Sequence, residues 1–324
     1  MKALRVHRLS NDLSGVGLVE TDRPSPADCE VLVRVRAASL NYPDLLMTRG
    51  DYQFKPALPF TSGLELAGEV VEAGPGSSFP LGARVMGGAK TGAFADYVAL
   101  PSSALRTIPT RLDFAQAAAL GAAYQTAYVA LVELGGLQAG QHVLVHGASG
   151  GVGLAACDLA RALGAHVIAA THREDKVDLL RELARPKAVI LNTGRFRDEV
   201  AQLTDGRLCD LVFDPVGGDV FDESTRCVTF GGKMLVVGFV SGRIAEIALN
   251  IPLIKGFSVV GVRAGEYARR FPDRGRRIAE ALDRLASEGR ITPHIDRIVP
   301  LADWRSAFEA MEHGDLVGKI VLVP

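Results

Sequence analysis

The chain reads as an α/β protein in which a doubly wound parallel sheet follows a β-rich, barrel-like domain. Three observations predict this. The first is HVLVHGASGGVG (142–153), an apolar strand entering a turn with Gly147, Gly150, Gly151 and Gly153; a helical run (154–165) and a second apolar strand, HVIAAT (166–171), follow. Strand, glycine turn, helix and strand within about thirty residues make the dinucleotide-binding βαβ unit. The second is the continuation AVILN (188–192), DLVFDPVGG (210–218), GGKMLVVGF (231–239) and SVVGV (258–262), with helix-compatible pieces such as EDKVDLLRELA (174–184) between. These strands are apolar on both faces, as buried parallel strands are, and they complete the six of a doubly wound sheet. The third is the stretch before about residue 122, where short strands alternate with Gly- and Pro-rich turns.

Taken in order, EVLVRVRAAS (30–39) alternates, with Val31, Val33 and Val35 on one face and Arg34 and Arg36 on the other. Residues 63–76 form a second strand region closed by Gly-Pro-Gly, and 94–101 form a third. Between the first two lies NYPDLLMTRGDYQFKP (41–56), polar and turn-rich, which is expected to be a site loop. In the tail, Ile278, Leu282 and Leu285 form one stripe of an amphipathic helix that ends at Gly289. A second helix is expected over about 303–312, and GKIVLV closes the chain as a strand returning to the N-terminal domain.

The bulk numbers narrow the function. The 324 residues suggest two domains. Thirty-six Lys and Arg against 37 Asp and Glu leave a net charge of −1, so nucleic acid is not an expected partner and any anion site is local. Cys29, Cys157, Cys209 and Cys227 form no CxxC pair, which fits a reducing compartment and argues against a cysteine-held metal. The first residues lack an apolar signal core. The most apolar segment, 114–134, is interrupted by Gln116, Gln125 and Glu133, so a soluble cytoplasmic protein is expected without a membrane partner.

The glycine turn carries the clearest chemistry. A diphosphate must lie against bare backbone, and the N-terminus of the helix offers it free N–H groups and a positive dipole end. The expected contacts are Ser149, Gly150, Gly151, Val152 and Gly153; the pattern is AxGxxG, since Ala148 stands first. An NAD-preferring fold places Asp or Glu at the end of the second strand. This chain has Thr171, His172 and Arg173 there, with Lys176 one turn later. Arg173 and Lys176 suit a 2′-phosphate, so NADPH is expected over NADH, against the alternative of a solvated helix start.

With these residues in view, the chain resembles the zinc-independent quinone oxidoreductases of the medium-chain dehydrogenase/reductase superfamily, the group that includes zeta-crystallin. The resemblance rests on HGASGGVGLAACDLARALGA, NYPDLLMTRGDY, LPFTSGLELAGEVVEAG, DPVGG and GKIVLV, and spans nearly the whole chain. It implies a split GroES-like β-barrel catalytic domain (1–123 and 262–324) around a Rossmann domain (124–261), and dimerisation through the SVVGV sheet edge. The zinc alcohol dehydrogenases of the superfamily hold their metal with a Cys near position 41 and a His in a GHE motif; here those places carry Asn41 and, in GLE, Leu64. Glu65 alone cannot hold Zn²⁺, so no metal is expected.

The resemblance further implies an NADPH-dependent reductase of quinones or α,β-unsaturated carbonyls. Asn41 and Tyr52 would line the acceptor pocket and supply hydrogen bonds to the developing oxyanion. A second pocket tyrosine of relatives is replaced by Leu46, which leaves water as a proton source. Thr126, Val216, Gly238, Phe239, Val262, Arg263 and Lys319 match cofactor contacts of the family. Relatives often carry a Tyr after AVILN; this chain has Thr193-Gly194-Arg195. Two other readings stay open: reduction of a 2-enoyl thioester, with Arg263, Arg269 and Arg270 attracting an acidic tail, and an NADPH-binding protein with a binding or structural role.

Overall fold

The computed structural model describes residues Met1–Pro324 and divides into two units, Met1–Ala122 with Thr292–Pro324, and Ala123–Ile291. In the first unit the strand Glu30–Ser39 is the organising element. Its alternation is as expected: Val31, Val33 and Val35 are buried, whereas Arg34 and Arg36 are exposed. It pairs antiparallel with Glu65–Ala73, with Tyr97–Pro101 and, through Ser39 and Ala38, with Lys319–Val323. The sheet continues through Arg84–Gly88 to Leu105–Thr107 on one side and to Ile295–Pro300 on the other. A smaller sheet, Val16–Glu20, Lys2–Val6 and Phe60–Thr61, adds strands that no clear alternation had marked. Leu4, Val33, Leu66, Phe94, Trp304 and Phe308 belong to one core, with Phe308 packed edge-on against Phe94 and Trp304. The final strand therefore lies in the barrel, as the terminal GKIVLV predicts.

The segment 41–56 differs from expectation. Its first half is an α-helix, Tyr42–Arg49, and only the remainder is irregular. Polarity alone hid this helix, but its ends carry local signals. Pro43 stands in the first turn, Asp44 reaches back to accept the Asn41 backbone N–H at 2.9 Å, and Gly50 closes the helix in the left-handed region at φ 81°.

The second unit is a six-stranded, all-parallel sheet in the order Ala188–Leu191, His166–Thr171, His142–Val145, Cys209–Asp214, Val228–Val236, Ser258–Gly261. This is the doubly wound arrangement, reversing direction beside the glycine turn. The helix Gly151–Ala162 follows that turn. A Cβ at Gly153 would stand 2.1 Å from the Gly147 carbonyl oxygen, so only glycine lets the helix sit against its strand.

The boundary between the units corrects the expected one. Residues 262–291 group with the Rossmann sheet rather than the barrel. Tyr267, in the helix Ala264–Arg270, donates its hydroxyl to Glu133 at 2.8 Å. The helix Pro272–Ser287 buries the stripe Ile278, Leu282 and Leu285, and Arg290 donates to the Ala162 carbonyl. At the other end the boundary falls inside the helix that begins at Phe114 and runs, through a π-helical end, to Leu134. It is the one helix long and apolar enough to cross a membrane, yet 56% of its most apolar window is buried inside the protein, as in a core helix.

Substituting Gly153→Ala is expected to destabilise the chain by about 3 kcal/mol, because the clash is with backbone and cannot be relieved by a side-chain rotation. Urea denaturation followed by circular dichroism measures it.

Candidate functional site

In the second unit, the residues expected to hold a dinucleotide stand at the carboxyl ends of the parallel strands. Ser149 to Gly153 follow His142–Val145, Thr171 ends His166–Thr171, and Val216 follows Cys209–Asp214. Gly238 and Phe239 follow Val228–Val236, while Val262 and Arg263 follow Ser258–Gly261. The turn fits an anion. Gly147 adopts φ 57°, Gly150 has a near-free face, and the first turn of Gly151–Ala162 holds no acidic side chain. On the neighbouring strand end, Asp214 is buried and accepts the N–H groups of Val216 and Gly217 at 2.8 and 3.0 Å, which shapes the 214–217 turn. Burial pushes the Asp214 carboxyl up, opposed by these two bonds.

The candidates for a 2′-phosphate are engaged within the protein. The Arg173 guanidinium grips Asp175 with two bonds of 2.9 Å, and Thr171 Oγ1 accepts the Arg173 N–H at 3.1 Å. Lys176 is buried and has partners of its own. Thr126 lies on the helix Phe114–Tyr128 and is also engaged.

In the first unit, Asn41, Glu65 and Lys319 converge in a buried cluster. The Lys319 ammonium donates to Asn41 Oδ1 at 2.6 Å, to the Leu40 carbonyl at 2.9 Å and to Glu65 Oε1 at 3.2 Å. Asn41 Nδ2 donates to Glu65 Oε1 at 2.9 Å and to the Ser39 carbonyl at 3.1 Å. Glu65 Oε2 accepts the Ala122 N–H at 2.7 Å; a Cβ at Gly121 would meet that oxygen at 2.7 Å, so the glycine makes room for the carboxylate. Lys319 and Glu65 are only 5% and 4% exposed, so the pair is sustained by its geometry and by the complete use of its donors and acceptors.

This arrangement revises two expectations. Both hydrogens of the Asn41 amide are spent inside the cluster, so Asn41 braces Glu65 and Lys319 and has no free donor for an acceptor oxygen. Lys319 likewise directs all three ammonium hydrogens inward, away from the role of a free cofactor contact. Tyr52 is half-buried against the barrel core, and its hydroxyl makes no hydrogen bond within the protein.

Asp44 joins the cluster unannounced. It is completely buried, one of its oxygens has no partner, and it is pushed from 3.8 up to about 7. Burial is the main cause; the Glu65 charge adds to it, while the Asn41 N–H and the Lys319 ammonium oppose it. The Asn-x-x-Asp spacing of 41 and 44 was the available signal for this contact. Among all residues, no group of three or more His, Cys, Asp or Glu stands together as a metal-binding set.

The barrel, the doubly wound sheet and the glycine turn define a dinucleotide-dependent oxidoreductase of medium-chain type. Residues 27–110 match the family described as alcohol dehydrogenase GroES-like domain, and 151–286 the family described as zinc-binding dehydrogenase. A quinone oxidoreductase-like protein 2 homolog from Nematostella vectensis is 37% identical, over 90% of this chain and 81% of the relative. The quinone oxidoreductase of Homo sapiens is 30% identical, over 93% and 91%. The crystal structure of Escherichia coli quinone oxidoreductase complexed with NADPH superposes with a TM-score of 0.90 at 27% identity, covering 100% of both chains. The chain belongs to the quinone oxidoreductase, zeta-crystallin-like family of the medium-chain dehydrogenase/reductase superfamily.

Two measurements probe the cluster. Lys319→Met removes the counter-charge of the buried Glu65 and is expected to cost about 3–5 kcal/mol of stability; Lys319→Met with Glu65→Gln should recover part of it in the same urea titration. The second concerns Asp44, whose folded value lies above its unfolded one. Its contribution is present below about pH 3.8 and lost as pH rises through about 7. Asp44→Asn should therefore gain stability relative to the wild type between pH 4 and 8, read as the difference in denaturation midpoint across that range.

Proposed function

We propose that the chain is an NADPH-dependent reductase that delivers a hydride to a quinone or an α,β-unsaturated carbonyl without zinc. The observation that carries this reading is the Lys319 ammonium, seated on Asn41 and Glu65. These are the positions that, by the family resemblance, border the metal in zinc-dependent relatives. A fixed ammonium on the one available carboxylate repels a divalent cation, and Asn41 and Leu64 supply neither the thiolate nor the imidazole that zinc requires. The family description that mentions zinc fits the fold of residues 151–286 and not this donor set.

When bound, the reduced nicotinamide supplies the hydride. The chain's own residues then have four tasks. The glycine turn and the N-terminus of Gly151–Ala162 bind the diphosphate. Arg173 binds a 2′-phosphate by exchanging Asp175 for it, a trade of one bidentate anion for another. Tyr52 donates its free hydroxyl to the oxygen on which negative charge develops, and the final proton comes from water. The Asn41–Glu65–Lys319 cluster keeps the floor of the acceptor region rigid and electrically neutral.

The thioester alternative is weakened because Arg269 and Arg270 both bond Glu266, at 2.9 Å each, which occupies their guanidinium groups and reduces the positive charge of that face. The chain is further proposed to work in the cytoplasm, its four cysteines all free thiols, and to act as a homodimer. Dimer formation is supported by the edge strand Ser258–Gly261 and by Phe230, Leu249 and Leu253, which are 83%, 81% and 80% exposed.

Four results test this reading. NADPH oxidation should proceed with 1,2-naphthoquinone, 9,10-phenanthrenequinone or an alkenal and be slow with an enoyl-CoA; tight NADPH binding without turnover on any acceptor would instead favour a binding role. Tyr52→Phe should lower kcat by about tenfold to a hundredfold, and Arg173→Asp should weaken NADPH binding by at least about tenfold while sparing NADH. Leu253→Glu should shift the chain from dimer to monomer in light scattering.

A further inference from the structure

A second buried polar chain, outside the cluster around Lys319, lies beneath the glycine turn. His146 directly follows the strand His142–Val145 and immediately precedes Gly147. It is fully buried, with the Phe196 ring packed 5.4 Å away. Its Nδ1 lies 3.1 Å from Asn192 Nδ2, and its Nε2 lies 2.7 Å from Ser224 Oγ. With the Asn192 amide turned so that its nitrogen donates and its buried Oδ1 is left without a partner, Nδ1 is the acceptor and the ring proton sits on Nε2. Ser224 Oγ accepts that proton's bond and passes its own hydrogen to the Val220 carbonyl at 2.6 Å. Donation therefore runs in one direction, from Asn192 through His146 and Ser224 to the backbone, with no charged group in line. Burial, the one cause acting on the imidazole, lowers it to about 3, so the ring stays neutral.

The three residues stand on three different elements of the second unit. His146 leads into the glycine turn, and its own N–H donates to Phe213 at 3.0 Å. Asn192 follows the strand Ala188–Leu191, and its N–H donates to Thr171 at 3.0 Å, just before Arg173. Ser224 ends the helix Gly218–Ser224, which starts directly after the 214–217 turn. A lone buried histidine is ordinarily core. This one joins the diphosphate turn, the approach to the 2′-phosphate residues and the helix behind Val216 through side-chain hydrogen bonds.

We propose that His146 is a positioning residue for the dinucleotide: its ring, held between Asn192 and Ser224, ties the glycine turn to the end of the strand Ala188–Leu191 and to the helix Gly218–Ser224. Asn192 and Ser224 act through it. The proposal rests on the reading of the glycine turn as the dinucleotide site. It differs from simple core packing in what it couples, because loosening the chain should loosen cofactor binding in protein that remains folded.

The test uses the full chain and titration calorimetry with NADPH and, separately, NADH. Ser224→Ala removes one hydroxyl and no packing volume of consequence. It should raise Kd for NADPH about tenfold, the loss of a buried hydrogen bond and the freeing of the ring, and the rise in KM for NADPH should exceed any change in kcat. His146→Gln, which keeps one donor and one acceptor, should bind more tightly than His146→Leu. Adding Ser224→Ala to His146→Leu should cost nothing more, since the bond is already gone. If Ser224→Ala remains folded and its Kd stays within twofold of a wild type that binds NADPH, His146 is only core and the proposal falls alone. If the wild type binds neither NADPH nor NADH, the cofactor reading and the proposal fall together.

Discussion

The buried pair of Lys319 and Glu65 is the interaction on which the first unit depends. Two opposite charges taken from water are costly, and their attraction offsets the cost only when every remaining donor and acceptor is matched. Here the matching uses residues far apart in the chain: Asn41 at the mouth of a helix, Glu65 at the start of a strand, Ala122 in the long apolar helix and Lys319 in the last strand. The strand Lys319–Val323 pairs with Glu30–Ser39, and the tail thus brings its ammonium to the Asn41 helix. The N-terminal barrel is chemically incomplete without its C-terminal return.

On the zinc-free reading proposed above, the same pair also sets what chemistry the barrel supports. A site that offers carboxylate, thiolate and imidazole around a vacancy recruits a metal; a site that offers one carboxylate already holding an ammonium does not. The cluster is close to neutral while Asp44 retains its proton, which burial favours up to about pH 7. On that reading substrate polarity comes from hydroxyl donors and water, which suits acceptors that are already polarised, such as quinones and enones, better than alcohols.

Much of the fold was legible because hydrophobic period carries it. Alternation marked Glu30–Ser39, and continuous apolar runs marked the six parallel strands. The glycine turn was legible because bare backbone at Gly153 is a steric necessity. The missed parts have physical reasons. Tyr42–Arg49 is short and polar, and is set by its caps rather than by an apolar stripe. The stripe of Pro272–Ser287 identified a helix but not the unit that buries it, since amphipathicity names no partner. The internal pairing of Asn41 and Lys319 was not legible because composition shows donors and acceptors, while only three-dimensional pairing shows which are already satisfied. His146 gave no spacing signal, because its partners Asn192 and Ser224 lie on other elements.

The central claim is that a fixed ammonium stands in the metal's place and hydride transfer proceeds without zinc. Elemental analysis of gently purified protein, paired with NADPH-dependent reduction of 9,10-phenanthrenequinone before and after chelation, tests it most directly. The account predicts zinc far below one equivalent per chain and a rate unchanged by the chelator. One equivalent of zinc, with activity lost on chelation and restored by adding the metal, would contradict it.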